Sequence, residues 1–516
     1  MQLIIPMSGV GQRFKEKGFE LPKPLIPISG RPMVQHVVEM FPGVEDVLFI
    51  VNKEHFEDLD LNLEARLMKI APNAEIKVIE PHKLGPAWAI QQSSEFIKLD
   101  VPVVVNYCDF ACTWDFTAFR EKLHSGIDGL IATYSGFHPH MLRNNQYAYL
   151  KLNESGNLIQ IQEKLPFTFL PMDEPASSGT YGFGSGQILL EAVRTQIINN
   201  DSYNQEFYSS LTYKNMINSG KIVKSFEIEK FFQWGTPEDF IDFKIQKDFF
   251  TFKLTHQKRS THVNRIEILA AGAGQRFLDL GYREIKPFLK AGENFLAMQA
   301  IEALGSPLGS KGILLQESAL VSQQSSQILR DNDIEVHKVK SLTKGQAESA
   351  LVALMRESVG SCIIGTCDSL VYPNPALDLP KGKNILGVWV TNPSKYAKEH
   401  PEQFGWVSLE DNREIKTSWI KKKPSADALV VVITGTFYFG DDQEGADLLK
   451  AFLEEGALVN DEFYLDSLLS FAAVRGWTVI GLFPEWFISL GTPEEYETYR
   501  YWESVFENRR DLLVND

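Results

Sequence analysis

The chain has 516 residues, a formal net charge of −16, and 44% hydrophobic residues. Its length predicts more than one domain, and its composition is that of a globular protein. The acidic balance argues against a general nucleic-acid binder, and the longest apolar runs, under about ten residues, argue against a membrane-spanning helix.

The first residues lack a basic leader and reach a glycine-rich loop by Gly9, so we expect no signal peptide. Four cysteines lie in or beside apolar runs and share no spacing with histidines, which favours buried reduced thiols over a metal site. We therefore predict a cytoplasmic protein. The four are Cys108, Cys112, Cys362 and Cys367.

The first apolar run leads into a glycine-rich segment, residues 8–24, which reads SGVGQRFKEKGFELPKP. Gly9 and Gly11 allow a sharp turn that brings backbone N–H groups close to a ligand. Arg13 and Lys23 add positive charge beside those donors. Such a loop is typical of polyphosphate binding.

Apolar, strand-like runs alternate with helical patterns through the first 134 residues. Near-continuous apolar strands separated by helices predict a parallel sheet covered on both faces, which binds ligands beyond the carboxyl ends of its strands. The predicted strands are 2–6, 46–52, 75–80, 101–107 and 129–134, and the predicted helices are 32–40, 54–70 and 87–97.

Asp109 stands at the end of the buried strand VPVVVNYC. Mg²⁺ takes few protein oxygens and completes its coordination with substrate phosphates, so a lone carboxylate beside a phosphate loop suits it. The alternative is that Asp109 caps the next turn. The glycine loop upstream favours the metal role.

After residue 134 the pattern changes to alternating runs, 147–152 and 158–162, around NESGN, which predicts a hairpin. We expect this hairpin to form a small lobe at the sheet edge. It could carry Glu163 and Lys164 toward a second substrate, or the two could be a solvated surface pair; spacing alone leaves both open.

The first half closes with two further patterns. Residues 204–208, NQEFY, open a helical pattern whose aromatic side chains we interpret as core. In WGTPED, 234–239, Thr236 can cap a helix and Asp239 completes a capping box. That helix is expected to run to about 252, and 255–264 is a polar linker.

The glycine-rich segment returns at 271–287 as AGAGQRFLDLGYREIKP, identical at eight of seventeen positions where about one is expected by chance. An internal repeat is therefore predicted, with domains 1–254 and 265–516 joined by the linker 255–264. The other repeated parts, in order, are Gly85-Pro86-Ala87 and Gly345-Gln346-Ala347, Asp109 and Asp368, Gly179-Thr180 and Gly435-Thr436, 204–208 and 460–464, and 235–238 and 491–494.

One part does not repeat. Where the first copy has Glu163-Lys164, the second has IKKKP at 420–424, with no acid. A lysine cannot accept hydrogen bonds from hydroxyls as a carboxylate does. The second copy is therefore expected to keep its phosphate apparatus and to alter the other half of its site.

On these motifs, each half resembles the sugar-phosphate nucleotidyltransferases: GxGxRF followed by Lys-Pro, the strand-end Asp, the Glu-Lys pair, and GTPE near the end. The first copy is most similar to the bacterial enzymes of capsule and surface-polysaccharide pathways. The resemblance implies two tandem Rossmann-like α/β/α domains with mixed, mostly parallel sheets and a small β lobe in each. It also implies a reaction that joins a nucleoside triphosphate to a sugar phosphate and releases pyrophosphate, with Mg²⁺.

The resemblance also implies roles for individual residues. Arg13, Lys23 and Asp109 would be catalytic, and Asp109 and Asp368 would bind metal. Glu163, Lys164 and Gly179 would hold the sugar phosphate. The nucleotide would be bound by Gly9, Gly11, Gly85, Gly272, Gly274, Arg276, Lys286 and Gly345.

Both copies depart from the family pattern at one position. Many members have a second metal-binding Asp two residues before GTPE, where this chain has Gln233 and Ser489. The metal would then rely on one Asp and the phosphates. Asp239 is a candidate substitute, although its capping role is preferred.

The leading hypothesis is a sugar-phosphate nucleotidyltransferase whose first copy is active and whose second has another acceptor or binds nucleotide only. Because the acceptor phosphate is already an anion, this chemistry requires alignment and charge neutralisation rather than a general base. The alternative is a non-catalytic regulatory or scaffold protein in which the tandem forms an internal pseudo-dimer. Homo-oligomerisation is left open. A Rossmann dehydrogenase is disfavoured because the loop is GxGxR rather than GxGxxG.

Overall fold

A computed structural model describes residues 1–143, 146–255, 260–356, 360–410, 412–422, 424 and 429–513. The chain forms two compact units, Met1–Thr255 with the segment from Tyr501 onward, and a second unit that ends at Arg500. The predicted boundaries 1–254, 255–264 and 265–516 stay predictions, and residues 256–259 of the linker lie outside the described residues.

Among the described residues, the first unit has thirteen strands, and nine of them form its main sheet. Its strands are β1 (Gln2–Met7), β2 (Pro27–Ile28), β3 (Arg31–Pro32), β4 (Asp46–Asn52), β5 (Glu75–Ile79), β6 (Val103–Asn106), β7 (Phe110–Thr113), β8 (Gly129–Tyr134), β9 (Ala148–Leu152), β10 (Leu158–Glu163), β11 (Ala176–Phe183), β12 (Val223–Glu227) and β13 (Lys230–Gln233). Its helices are α1 (Gln12–Glu16), α2 (Met33–Glu39), α3 (Lys53–Glu57), α4 (Leu63–Ile70), α5 (Pro86–Gln91), α6 (Phe116–Leu123), α7 (Gly186–Ile198), α8 (Thr212–Asn218) and α9 (Pro237–Thr255).

The strand order is β10-β9-β11-β6-β1-β4-β5, and β8 and β12 extend the sheet beside β11. β1 pairs in parallel with both β4 and β6, whereas β11 runs antiparallel to β6. The residues of β1, β4 and β6 are almost all buried because helices cover both faces, as their apolar runs predict. The pairing places the loop after β1 next to the loop after β6, and so brings the glycine-rich segment beside Asp109.

Two helix predictions need correction. Predicted helix 54–70 is two helices, because the chain breaks between α3 and α4 and Asn62 adopts a left-handed φ of 44°. The break contains aspartates and an asparagine, residues that favour turns over helix interiors. Predicted helix 87–97 ends at Gln91 and is followed by a separate 3-10 turn, Ser94–Phe96.

The predicted hairpin is confirmed. β9 and β10 are antiparallel, and the backbone N–H of Asn153 donates to Asn157 O at 2.9 Å to close the turn. The hairpin joins the edge of the main sheet through the pair Ala176 and Tyr149.

The second unit has the same class of architecture, with a nine-stranded sheet in the order β18-β17-β14-β19-β24-β21-β25, in which β22 also pairs with β24 and β23 pairs with β22. Its strands are β14 (Arg265–Leu269), β15 (Lys290–Ala291), β16 (Asn294–Phe295), β17 (Ser310–Gln316), β18 (Ile334–Val339), β19 (Cys362–Thr366), β20 (Ser369–Pro373), β21 (Ile385–Thr391), β22 (Gly405–Leu409), β23 (Ile415–Ile420), β24 (Leu429–Phe439), β25 (Thr478–Leu482) and β26 (Pro484–Ser489). The helices from here to the end of the chain are α10 (Gln275–Asp279), α11 (Leu296–Leu304), α12 (Gln323–Asp331), α13 (Gln346–Leu354), α14 (Lys395–Glu399), α15 (Asp442–Glu455), α16 (Leu465–Val474) and α17 (Pro493–Asn508).

The predicted α/β class, with mixed and mostly parallel sheets, is thus confirmed in both units. From Tyr501 onward the chain packs within the first unit, where the rings of Trp502 and Phe506 lie 5.8 and 5.9 Å from that of Phe243. No helix among the described residues has both the length and the apolar character needed to cross a bilayer.

Candidate active site

A cavity of ≈ 380 Å³ opens at the carboxyl ends of β1 and β6 in the first unit. This is where a parallel α/β sheet is expected to bind its ligand. Six of the residues predicted to form the site line this cavity: Gly9, Gly11, Arg13, Lys23, Gly85 and Asp109. The structure therefore brings together the predicted nucleotide-binding and catalytic residues of the first copy, while their roles stay predictions.

Gly11 is the residue of the loop whose backbone requires glycine. It precedes α1 with a left-handed φ of 64°, a conformation that residues with a side chain rarely adopt. Gly9 has no such φ, and a Cβ placed on it would meet no atom within 4 Å. Arg13, in the first turn of α1, is exposed on the same loop, and its charge acts on Tyr208 in the cavity wall.

Lys23 is held by Asp109, which lies just beyond the carboxyl end of β6. Its ammonium donates to Oδ2 of Asp109 and, at 2.9 Å, to the carbonyl oxygen of Gly235. The two side chains are only 16% and 27% exposed, which leaves little water to screen the pair. The carboxylate of Asp109 thus holds the Lys23 ammonium, while its predicted metal role and the capping alternative both stay predictions.

Gly85 joins the start of α5 to the segment around Phe207. Its φ is 85°, and a Cβ there would stand 2.7 Å from N and 2.8 Å from O of Phe207. The N–H of Phe207 donates to Leu84 O at 2.8 Å, and that of Ala87 donates to Phe207 O at 2.9 Å. This backbone contact fixes Tyr208, the next residue, in the cavity wall.

Sequence reasoning missed several wall residues. The aromatics of 204–208 were interpreted as core, which is correct for buried Phe207 and wrong for Tyr208. Ser8 and His82 contact each other, Oγ to Nε2, at 3.2 Å, and burial lowers the pKa of His82. The repeat of the 204–208 pattern at 460–464 was the one signal that pointed to Tyr208. The wall also includes Tyr107, Cys108 and Glu206.

The three residues predicted to hold the sugar phosphate lie behind this wall rather than in it. Lys164 has a left-handed φ of 57°, and its ammonium donates to the hydroxyl of Tyr208 at 2.9 Å. The carbonyl of Gly179 accepts from the N–H of Tyr107 at 3.1 Å. A Cβ on Gly179, whose φ is 102°, would come within 2.9 Å of the Phe110 ring.

Glu163 is buried, at 8% exposure, so its interpretation as a solvated surface residue is wrong. The hydroxyl of Ser210 donates to its Oε2 at 2.5 Å. Burial raises the pKa of Glu163 to about 7, against the opposing effects of the Ser210 hydrogen bond and the Lys164 charge. Glu163 also lines a neighbouring cavity of ≈ 310 Å³, together with Tyr203.

The loop after β13 approaches Asp109 from the other side. The carboxylate of Asp109 and the amide oxygen of Gln233 lie 3.5 and 4.0 Å from where a Cβ of Gly235 would stand. Asp239 is engaged elsewhere: it accepts from the Thr236 hydroxyl at 2.7 Å and from Arg143 at 2.9 Å. The predicted cap by Thr236 is confirmed, because the N–H of Asp239 donates to the Thr236 hydroxyl at 3.1 Å, and a neutral amide, Gln233, occupies the position of the second family acid.

In the second unit the corresponding residues make the same contacts. Gly274 precedes α10 with φ 63°, and Lys286 donates to Oδ2 of Asp368 at 2.7 Å and to Gly491 O at 2.9 Å. Gly345, with φ 126°, would place a Cβ 2.6 Å from Phe463 O. The remaining predicted residues, Gly272 and Arg276, are exposed on the loop.

Asp368 shows how strongly this arrangement favours a carboxylate. Its burial would raise its pKa, yet the pKa is lowered, because the charge and hydrogen bond of Lys286 outweigh burial. Asp368 is therefore ionised at neutral pH.

Within the described ranges, no three His, Cys, Asp or Glu side chains converge to hold a metal ion. A single carboxylate facing a phosphate loop still fits Mg²⁺, which takes most of its ligands from water and phosphate oxygens. The four cysteines are free, and burial raises the pKa of Cys108 and Cys367, next to the two aspartates, to about 12.

Residues 3–247 match the family described as Nucleotidyl transferase, so the first unit carries the sequence pattern of that family. Among curated relatives, the mannose-1-phosphate guanyltransferase of Aspergillus oryzae is 29% identical over 141 residues, which are 26% of this chain and 37% of the relative. The bifunctional protein GlmU of Cellvibrio japonicus is 32% identical over 129 residues, 25% of this chain and 26% of the relative. The matches thus span well under half the length of these relatives.

Among solved structures, the nucleoside-diphosphate-sugar pyrophosphorylase of Vibrio cholerae superposes with a TM-score of 0.39 at 19% identity, covering 47% of this chain and 98% of that one. The inositol-1-phosphate CTP transferase of T. maritima superposes with a TM-score of 0.36 at 16% identity, covering 46% and 90%.

Proposed function

We propose that the first unit is a sugar-phosphate nucleotidyltransferase, which joins a nucleoside triphosphate to a sugar phosphate and releases pyrophosphate. The observation that carries the proposal is the convergence of the glycine loop, Lys23 and Asp109 on one cavity. The family match over 3–247 and the similarity to a mannose-1-phosphate guanyltransferase support it.

The triphosphate would lie on the glycine-rich loop. Backbone N–H groups around Gly11 and at the start of α1 suit an anion, and Arg13 and Lys23 neutralise further charge. Gly85, which also lines the cavity, would lie against the base of the nucleotide. Lys23 would shift its contact from Asp109 toward a phosphate oxygen.

The reaction is an in-line displacement at the α-phosphorus. A new bond forms from the acceptor phosphate oxygen to that phosphorus, and the bond to the bridging oxygen of pyrophosphate breaks. Because the attacking oxygen is an anion, no proton has to be removed, and the task of the protein is alignment and neutralisation of charge. Asp109 would hold Mg²⁺, which when bound supplies Lewis-acid neutralisation of the phosphates.

The acceptor would be recognised by Glu163 and Lys164. A carboxylate can accept two hydroxyl hydrogen bonds, and the ammonium of Lys164 pairs with a phosphate. Lys164 reaches the main cavity through its hydrogen bond to Tyr208, so acceptor binding would move this tyrosine as well. Glu163 itself stands next to the second, smaller cavity.

This assignment predicts a pH dependence. Because the pKa of Glu163 is about 7, its hydroxyl-accepting form increases as the pH rises. The kcat/KM for the sugar phosphate is expected to rise about tenfold between about pH 6 and pH 8. Lys164 and Glu206 are the charged groups that act on Glu163.

The matched control is Glu163→Gln, which keeps the shape and removes the titration. It should raise KM for the sugar phosphate about tenfold and retain only the pH dependence of the ligand, whose phosphate titrates near pH 6. An unchanged pH profile in this variant would remove Glu163 from acceptor recognition.

The proposal is tested by pyrophosphate release from the full-length protein over a panel of nucleoside triphosphates and sugar 1-phosphates, with Mg²⁺ added and then chelated. We expect turnover with at least one pair and its loss on chelation. Nucleotide binding without turnover in any pair would instead favour the scaffold alternative, which the transferase relatives do not favour.

We further propose that the two units are tandem copies of one domain, on the basis of their repeated motifs and contacts. In this proposal the first copy is active and belongs to a surface-polysaccharide pathway in the cytoplasm, and the second retains nucleotide binding through Lys286 and Asp368.

A further inference from the structure

In the first unit, three positions come together around the acceptor carboxylate. Glu163, the last residue of β10, lies opposite Ala148 of β9. Ser210, just before α8, donates to the Glu163 carboxylate at 2.5 Å. Lys164, which follows Glu163 in the chain, donates from its ammonium to the hydroxyl of Tyr208 at 2.9 Å.

The second unit contains the same arrangement, and its contacts fix the correspondence. Lys421 has a left-handed φ of 51°, like Lys164, and its ammonium donates to the hydroxyl of Tyr464 at 2.6 Å. Its N–H donates to Phe404 O at 3.1 Å, as that of Lys164 does to Tyr147 O at 3.0 Å.

Three residue pairs follow from this correspondence. Ile420, which precedes Lys421 and lies opposite Gly405, corresponds to Glu163. Gly405 therefore corresponds to Ala148. Asp466, two residues after Tyr464, corresponds to Ser210. The carboxylate absent from position 420 is thus present at position 466, at the start of α16.

Two of these three differences, at positions 405 and 466, are sterically coupled. A Cβ on Gly405 would stand 2.8 Å from Cγ of Asp466 and closer still to its Oδ2, so Asp466 takes this position only because residue 405 is glycine. In the first unit the residue that corresponds to Gly405 is Ala148, and the residue that corresponds to Asp466 is the smaller Ser210. If Asp466 were present only because a negative charge is favourable at the N-terminus of α16, residue 405 would not have to be glycine.

The electrostatic surroundings of Asp466 resemble those of Glu163. Burial raises the pKa of Asp466 to about 7, against a bond from its own backbone N–H and the charge of Lys421. The pKa of Glu163 is likewise raised to about 7 by burial and opposed by Lys164. In each unit, one partly desolvated carboxyl group stands beside one lysine held on a tyrosine.

We propose that the second unit has an acceptor site of its own, in which Asp466 accepts hydrogen bonds from ligand hydroxyls and Lys421 binds the ligand phosphate. The ligand is a phosphorylated polyol, the class that the proposed function assigns to the first unit, on which this inference rests. Because its carboxylate comes from a helix rather than a strand end, we expect it to prefer a different polyol.

The test uses the full-length protein with Glu163→Gln and Lys164→Ala, which weaken the acceptor site of the first unit. Isothermal titration calorimetry with hexose 1-phosphates, pentose 1-phosphates, glycerol phosphate and inorganic phosphate then reports on the second unit. We expect at least one phosphorylated polyol to bind more tightly than inorganic phosphate. Adding Asp466→Asn should weaken that binding about tenfold or more.

Asp447→Asn, an exposed aspartate of α15, is the matched control and should leave the affinity unchanged. Combining Asp466→Ser with Ile420→Glu and Gly405→Ala reproduces the first-unit arrangement and should restore binding of a polyol phosphate with a changed preference. This triple variant keeps the test decisive if Asp466→Asn proves unstable.

The inference is overturned if no polyol phosphate binds better than inorganic phosphate, or if Asp466→Asn and Asp447→Asn have the same affinity. Its failure differs from failure of the proposed function, since pyrophosphate release by the unaltered protein would still be observed. If pyrophosphate release is absent but ligand binding still depends on Asp466, the acceptor site of the second unit is supported and the proposed transferase activity is contradicted.

Discussion

Replacing Asp109 by asparagine is expected to lower the rate of pyrophosphate release about 100-fold or more. The change removes the one negative charge at the end of β6 and leaves the ammonium of Lys23 without its carboxylate. Asparagine has nearly the same shape and can still accept from Lys23, so the fold should survive. Steady-state pyrophosphate release measures the effect, and thermal unfolding confirms the fold.

Asp368→Asn is the matched control, since Asp368 holds Lys286 at 2.7 Å in the same way in the second unit. If the chemistry belongs to the first unit, Asp368→Asn should retain most of the pyrophosphate release. A loss in Asp368→Asn equal to that in Asp109→Asn would contradict the assignment of catalysis to the first unit. Full activity of Asp109→Asn would remove Asp109 from the reaction.

Replacing Gly85 by alanine is expected to lower the free energy of unfolding of the first unit by about 2–5 kcal/mol. Two costs add: a side chain at φ 85° is strained, and its Cβ would press against N and O of Phe207 at 2.7 and 2.8 Å. Because Tyr208 follows Phe207, the displacement should also raise KM for the nucleoside triphosphate. Urea denaturation and steady-state kinetics measure the two effects.

Gly18→Ala separates the two costs. Gly18 has nearly the same φ, 84°, but a Cβ there would meet no atom within 4 Å. The Gly18→Ala variant should therefore lose only about 1–2 kcal/mol of unfolding free energy, which is the cost of the backbone conformation. Its KM for the nucleoside triphosphate should be unchanged. Equal losses in the two variants would show that the contact with Phe207 is not what requires glycine at position 85.

Much of the candidate site could be predicted because it depends on local pattern and on one topological rule. An apolar strand followed by GxGxR specifies a turn and its donors within a dozen residues. Asp109 could be placed near that loop because carboxyl ends of neighbouring parallel strands share one edge. The helix cap at Thr236 and Asp239, at the start of α9, could also be predicted from local sequence alone.

Other parts depended on contacts between residues distant in the chain. Tyr208 enters the cavity wall because Phe207 exchanges backbone hydrogen bonds with Leu84 and Ala87, more than a hundred residues away. The break between α3 and α4 was missed because its apolar residues fit a helical period. No periodicity separates a wall tyrosine from a core phenylalanine.

Sequence by itself determined the α/β class, the repeated glycine-rich loop, the two strand-end aspartates and the family resemblance, because each is written in short, ordered motifs. Tertiary structure alone decided that Glu163 is buried, that Tyr208 lies in the cavity wall, that Lys23 pairs with Asp109, and that Asp466 lies against Gly405. The reason is physical: burial and side-chain proximity are set by which distant strands and helices pack together, and a glycine such as Gly405 creates room only for a neighbour that the fold brings to it.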